Sequence, residues 1–146
     1  MRGPRVSLVT LGVSDLERSR AFYEAWGWRP VEAEDGVVFY QANGLVISLF
    51  GVEALAEDQA RPGATLGTGA MTLAQNYPNE SAVDKVFKAG LAAGASMLKR
   101  PQKVFWGGYS GYLADPDGHV WEIAYNPYWT VERDGSVVLE RDDDGA

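Results

Sequence analysis

Asp115-Pro116-Asp117-Gly118-His119-Val120-Trp121-Glu122-Ile123-Ala124-Tyr125-Asn126-Pro127 is the stretch whose reading decides the fold. Pro fixes φ at the second turn position, Asp bonds its own backbone, and Gly supplies a positive φ, so Asp115 to Gly118 is a turn. A strand must follow. Along Val120 to Tyr125 the side chains alternate, placing Val120, Glu122 and Ala124 on one face and Trp121, Ile123 and Tyr125 on the other. The bulky face is core. Glu122 then stands on the opposite face at the middle of a strand, with small neighbours that leave space in front of it: the beginnings of a pocket.

Working outward, the same pattern occurs twice. Val6 to Val13 reads as a buried strand, and Ser14-Asp15-Leu16-Glu17 as a capping box with Ser14 as the N-cap. The helix carries Leu16, Phe22, Tyr23 and Trp26 and ends at Gly27. Strands are expected at Trp28 to Ala33, Val37 to Gln41 and Leu45 to Phe50, separated by Glu34-Asp35-Gly36 and Ala42-Asn43-Gly44. Gly51 to Gly67 has no strong period and reads as a linker with a short helix near Glu53 to Ala60. The pattern then restarts: a strand over Gly69 to Gln75, a helix over Ser81 to Ala93 ended by Gly94, and strands near Ser96 to Leu98, Ser110 to Ala114 and Val120 to Tyr125. Aligning Gly44 to Leu49 with Gly118 to Ile123 sets Ser48 opposite Glu122. The expected fold is α+β, a tandem βαβββ repeat: one domain over 1–127, with module one at 5–50, the linker at 51–67 and module two at 68–127. Residues 128–146 form an appendage with a hairpin around Asp134-Gly135 and a disordered acidic end.

Composition narrows the function. The 146 residues, 46% of them hydrophobic, suit one core. No apolar run is long enough to span a bilayer and the N-terminus lacks a signal-peptide pattern, so a cytoplasmic location is expected. Without cysteine there is no disulfide, thiolate nucleophile or zinc–thiolate site. A net charge of −7 argues against nucleic-acid binding. Lys99, Arg100 and Lys103 read as a solvated strand end.

The Asp115 to Pro127 stretch resembles the last strand of the vicinal oxygen chelate superfamily, the glyoxalase, bleomycin-resistance and ring-cleaving dioxygenase group. Leu8 to Leu16 with Ser19-Arg20-Ala21-Phe22-Tyr23 resembles its opening strand and helix. The resemblance implies an open half-barrel cleft and a homodimer. It also implies metal-ligand positions at Leu8, Ser48, about Ala70, and Glu122, of which only Glu122 binds a metal well. No metal or other cofactor is therefore expected. The competing register makes Gln75 a second ligand beside Glu122; its bland reading is a polar strand-exit residue. His119 reads as a surface turn residue.

Aromatic surface takes the place of ligands. In Phe105-Trp106-Gly107-Gly108-Tyr109-Ser110-Gly111-Tyr112, glycines let backbone approach closely, with Trp106 and Tyr109 on a loop at the cleft rim. Ser110 and Tyr112 are expected to point inward beside Glu122, with Tyr40, and less directly Phe50, on the other wall. Such groups bind flat organic molecules by stacking plus one or two hydrogen bonds. The expected function is metal-independent sequestering of an aromatic or amphipathic small molecule, with no nucleic-acid or membrane partner. The alternative is a glyoxalase-type metal-dependent lyase, isomerase or thiol-transferase that uses Glu122 as base or ligand. A third reading is an accessory subunit.

Overall fold

The computed structural model describes residues 3–34 and 36–139. Module one runs β1 (Leu8–Val13), α1 (Leu16–Ala25), β2 (Pro30–Glu34), β3 (Val37–Gln41) and β4 (Val46–Gly51). After α2 (Val52–Asp58), module two repeats it as β5 (Thr72–Asn76), α3 (Glu80–Ala93), β6 (Ser96–Lys103), β7 (Tyr109–Ala114) and β8 (Val120–Tyr125). A short hairpin, β9 (Thr130–Val131) and β10 (Val137–Val138), turns at Asp134 and Gly135 as expected. Among the described residues no helix is long and apolar enough to cross a membrane.

The sheets are two copies of one topology, β1-β4-β3-β2 and β5-β8-β7-β6, each with its first and last strand parallel. Thr10 pairs with Ser48 in the first and Ala74 with Glu122 in the second. The alignment of Ser48 with Glu122 is thus reproduced in register. Burial pins it: Leu11, Val13, Leu49, Leu113, Trp121 and Ile123 all lie on the helix-covered faces. Slipping β8 by one residue would expose Trp121 and Ile123 and forfeit about 1.5–3 kcal/mol for each.

Several boundaries differ from expectation, each for a local reason. The N-cap of α1 is Asp15, not Ser14; Asp15 Oδ1 accepts from the Arg18 N–H at 3.1 Å. Ser14 is instead engaged by Asp117, a partner too distant in sequence to foresee. β1 starts at Leu8 rather than Val6, and β5 at Thr72 because Gly69 holds φ +95° just ahead of it. β6 continues past Leu98 to Lys103, since register shifts after Met97 and Lys99 absorb Pro101. There Gly111 faces Pro101 so closely that an added Cβ would sit 2.7 Å from its nitrogen. Asp35 of the β2–β3 turn and the acidic end at 140–146 lie outside the described residues.

The two modules join through their helix sides. Trp26 Nε1 donates to the Val86 carbonyl at 3.0 Å, and its ring rests against Gly90 of α3. Tyr23, Trp26 and Trp28 of module one surround Trp121 of module two; Trp28 meets Trp121 edge-to-face at 5.4 Å. Such geometry adds to area burial for each ring pair.

Candidate functional site

The Asp115 turn first acts as a latch. Asp115, 3% exposed, accepts at Oδ1 from the backbone N–H groups of Asp117 and His119 and at Oδ2 from the Tyr23 hydroxyl at 2.6 Å. Trp121 Nε1 donates in turn to the Tyr23 oxygen at 3.0 Å. Burial, reinforced by the Asp115 carboxylate, pushes the Tyr23 phenol pKa far up, so it stays a donor. Two residues on, Asp117 Oδ1 accepts from the N–H and hydroxyl of Ser14, Oδ2 from the Ser19 hydroxyl, and Arg18 lies 3.4 Å away. Burial would raise the Asp117 carboxyl, but these hydrogen bonds and Arg18 prevail and hold it below its usual value. His119 is half-buried rather than a surface turn residue, its Nε2 donating to the Gly12 carbonyl at 2.7 Å. A hydrogen bond to a carbonyl places the ring proton on Nε2.

The latch leaves the face of β8 away from α3 open. Glu122 sits there half-buried, flanked in register by Ala74 on β5 and Tyr112 on β7. Ser110 and Asn76 flank Ala124 one pair further along. Burial raises the Tyr112 phenol pKa, and the charge of the adjacent Glu122 carboxylate adds to the shift. The surface therefore offers a carboxylate, a phenol and a serine hydroxyl over a floor of small Ala side chains. It can accept hydrogen bonds from, or pair with, a cationic or donor-rich ligand while packing a flat apolar one.

The corresponding face of the first sheet carries Thr10 and Ser48, whose hydroxyls bond each other at 2.8 Å. Phe39 pairs with Ser48, and α2 crosses beyond, over Gly12, where an added Cβ would meet Leu55 and Val52 side chains at 3.1 Å. Thr10, a residue the ligand reading passes over, is the one whose side chain engages Ser48; its alternation with Gly12 along β1 is the only sequence signal for it.

The six expected ligand-binding residues are divided by the fold. Ser110, Tyr112 and Glu122 come together on the open face. Tyr109 begins β7 rather than lying in a loop and points to the helix side, where its hydroxyl donates to Asp84 Oδ1 of α3 at 2.6 Å. That bond, with some burial, pushes its pKa up to about 12. Trp106 sits at the β6–β7 turn, folded over Gly108 with its ring 6.4 Å from that of Tyr128. Tyr40, 2% exposed, lies in the core behind the first sheet, packed on Trp28 and Tyr23. Phe50 is half-buried on the same face as Ser48.

Metal-donor chemistry can be tested on this register. Leu8 and Ala70 supply no donor, Ser48 is spent on Thr10, and the strand neighbour of Glu122 is Ala74. Gln75 pairs with Ile123 and so faces the helix side, opposite Glu122. One ion cannot take both from this chain. Among the described residues no group of three or more His, Cys, Asp or Glu could hold a metal, and the donors present do not fit a divalent site.

The family model of the Glyoxalase/Bleomycin resistance protein/Dioxygenase superfamily matches residues 5–123. The chain belongs to this superfamily. A glyoxalase-related enzyme from Fulvimarina pelagi superimposes with a TM-score of 0.86 at 42% identity, over 94% of this chain and 99% of that one. A glyoxalase/bleomycin resistance protein/dioxygenase family enzyme from Burkholderia phytofirmans PsJN gives 0.71 at 26%, over 82% and 96%. A lactoylglutathione lyase from Agrobacterium tumefaciens shares the fold at 0.68 and 21% identity, over 88% and 98%. No curated protein matches the chain. The glyoxalase-superfamily fold accounts for the duplicated module and its open sheets.

Proposed function

We propose that this glyoxalase-superfamily chain is a metal-independent small-molecule binding protein of the bleomycin-resistance type. Its ligand, a flat or amphipathic organic molecule, rests on the open face beside Glu122, Tyr112 and Ser110. The observation that carries the reading is the register around Glu122: its neighbours are a methyl group and a phenol rather than further metal donors. Glu122 then acts as a hydrogen-bond and charge acceptor, which favours a cationic ligand. Tyr112 orients it and Ser110 contributes a second polar contact. Trp106 and Tyr128 supply an aromatic edge at the β6–β7 turn. The exposed Leu8 and Met71 support a homodimer in which a second copy closes the face.

The test is equilibrium binding of cationic aromatic natural products, beginning with metal-free bleomycin, followed by tryptophan fluorescence. Micromolar or tighter binding should survive chelator and weaken about tenfold in Glu122→Gln, a change worth about 1.4 kcal/mol. Absence of binding, together with metal-dependent turnover of a small carbonyl substrate that Glu122→Gln abolishes, would overturn the proposal in favour of a glyoxalase-type lyase.

A further inference from the structure

At the seam between the modules, along the edges of β1 and β5, lies a groove of about 1040 Å³. The edges of β1 and β5 border it through Val9 and Leu73, and Ile47, Trp28 and Trp121 form its apolar wall. Trp28 and Tyr40 stand edge-to-face at 5.5 Å, so the wall is built of locked aromatic rings. Its size falls at the upper end of small-molecule pockets, and its lining mixes the aromatic wall with polar groups such as Arg29, Gln41 and Asn76.

Two buried side-chain atoms have no hydrogen-bond partner among the described residues, Tyr40 Oη and Gln75 Nε2, and both belong to residues of this wall. Gln75 is half-satisfied: its Oε1 accepts from the Tyr77 hydroxyl at 2.6 Å. Exchanging the amide's O and N leaves the other end unpaired instead, so either assignment keeps one buried polar atom over. Such an atom is costly unless something meets it, by about 1–3 kcal/mol. Burial and the nearby Glu24 carboxylate push Tyr40 up to about 12, so its hydroxyl keeps its proton at neutral pH.

We propose that the groove is a second ligand site, one that takes a planar aromatic molecule bearing a carbonyl oxygen, held by Gln75 Nε2 against the half-buried Trp28 ring. Gln75 projects from the face of β5 opposite Glu122, so the two ligands are held by different side chains. Ring stacking supplies most of the affinity, and the Gln75 donor selects an acceptor over a hydrocarbon of the same shape.

The probes are 2-acetylnaphthalene and its near-isostere 2-ethylnaphthalene, which lacks the acceptor. Tryptophan quenching should show the ketone binding about tenfold more tightly than the hydrocarbon. Gln75→Leu combined with Tyr77→Phe, which removes the amide and the phenol it would otherwise strand, should erase that difference. Glu122→Gln should leave it intact. In the unmodified protein, the side-chain amide resonances of Gln75 should shift on adding the ketone and not the hydrocarbon, a readout that needs no folded variant. Equal affinities for the two probes, unmoved Gln75 resonances, or loss of ketone binding in Glu122→Gln would each overturn the second site. The last result would assign the ligand to the open face and leave the proposed function standing.

Discussion

Tyr23→Phe isolates the latch between the modules. The hydroxyl it removes is fully buried, donates to Asp115 Oδ2 at 2.6 Å and accepts from Trp121 Nε1 at 3.0 Å, while the ring's packing is kept. The loss leaves a carboxylate oxygen and an indole N–H buried without those partners. Each stranded group costs about 1–3 kcal/mol, so the two together cost about 2–6 kcal/mol. That is a large part of the roughly 5–15 kcal/mol that holds a domain folded. In urea, with a slope of about 1.5 kcal/mol per molar, the midpoint should fall by about 1–4 M without a change in slope. Equilibrium unfolding followed by tryptophan fluorescence and circular dichroism measures it, since Trp121 lies at the latch itself. A shift under about 0.3 M would show that water or a rearranged Asp115 takes over both bonds. The view that this turn ties the modules together would then be refuted.

Asp117→Asn should flatten the acid limb of stability. Its folded pKa is depressed, so its contribution is complete above the ordinary carboxyl range near 4 and is lost as pH falls through the lower folded value. Urea midpoints from pH 6 to 2.5 should therefore fall less steeply in the variant, and identical slopes would count against the Ser14 and Ser19 contacts as the cause. Gly90→Ala should destabilise by about 1–2 kcal/mol in thermal or urea unfolding. Its helix-propensity gain of about 1 kcal/mol is outweighed by a Cβ 2.8 Å from Leu113 and 3.1 Å from the Trp26 ring. A more stable variant would mean that the α1–α3 seam yields freely.

How much could be read in advance depends on the range of the forces involved. The duplicated module, the strand alternation of β8, the hairpin at Asp134-Gly135 and the helix ends at Gly27 and Gly94 follow from periodicity and backbone preference, which act within a few residues. So did the open-face position of Glu122. What escaped was set by partners far along the chain. Ser14 looked like a helix cap because its immediate sequence fits one, yet Asp117, 103 residues away, claims both its N–H and its hydroxyl. Tyr109 read as a rim residue until α3 brought Asp84 beside it.

The sequence by itself determined which residues share a face, because a strand's alternation is a property of its own backbone. It determined as well that module one carries a serine where module two carries Glu122. Only the tertiary structure decided that Gln75 and Glu122 lie on opposite sides of one sheet, that Ser110, Tyr112 and Glu122 meet while Tyr40 and Tyr109 turn away, and that a groove opens at the seam. The physical reason is that register between strands, and the docking of one module on another, are fixed by burying Trp121, Tyr23 and Trp26 together. No local preference encodes that outcome, since it is the packing of the two halves that selects it.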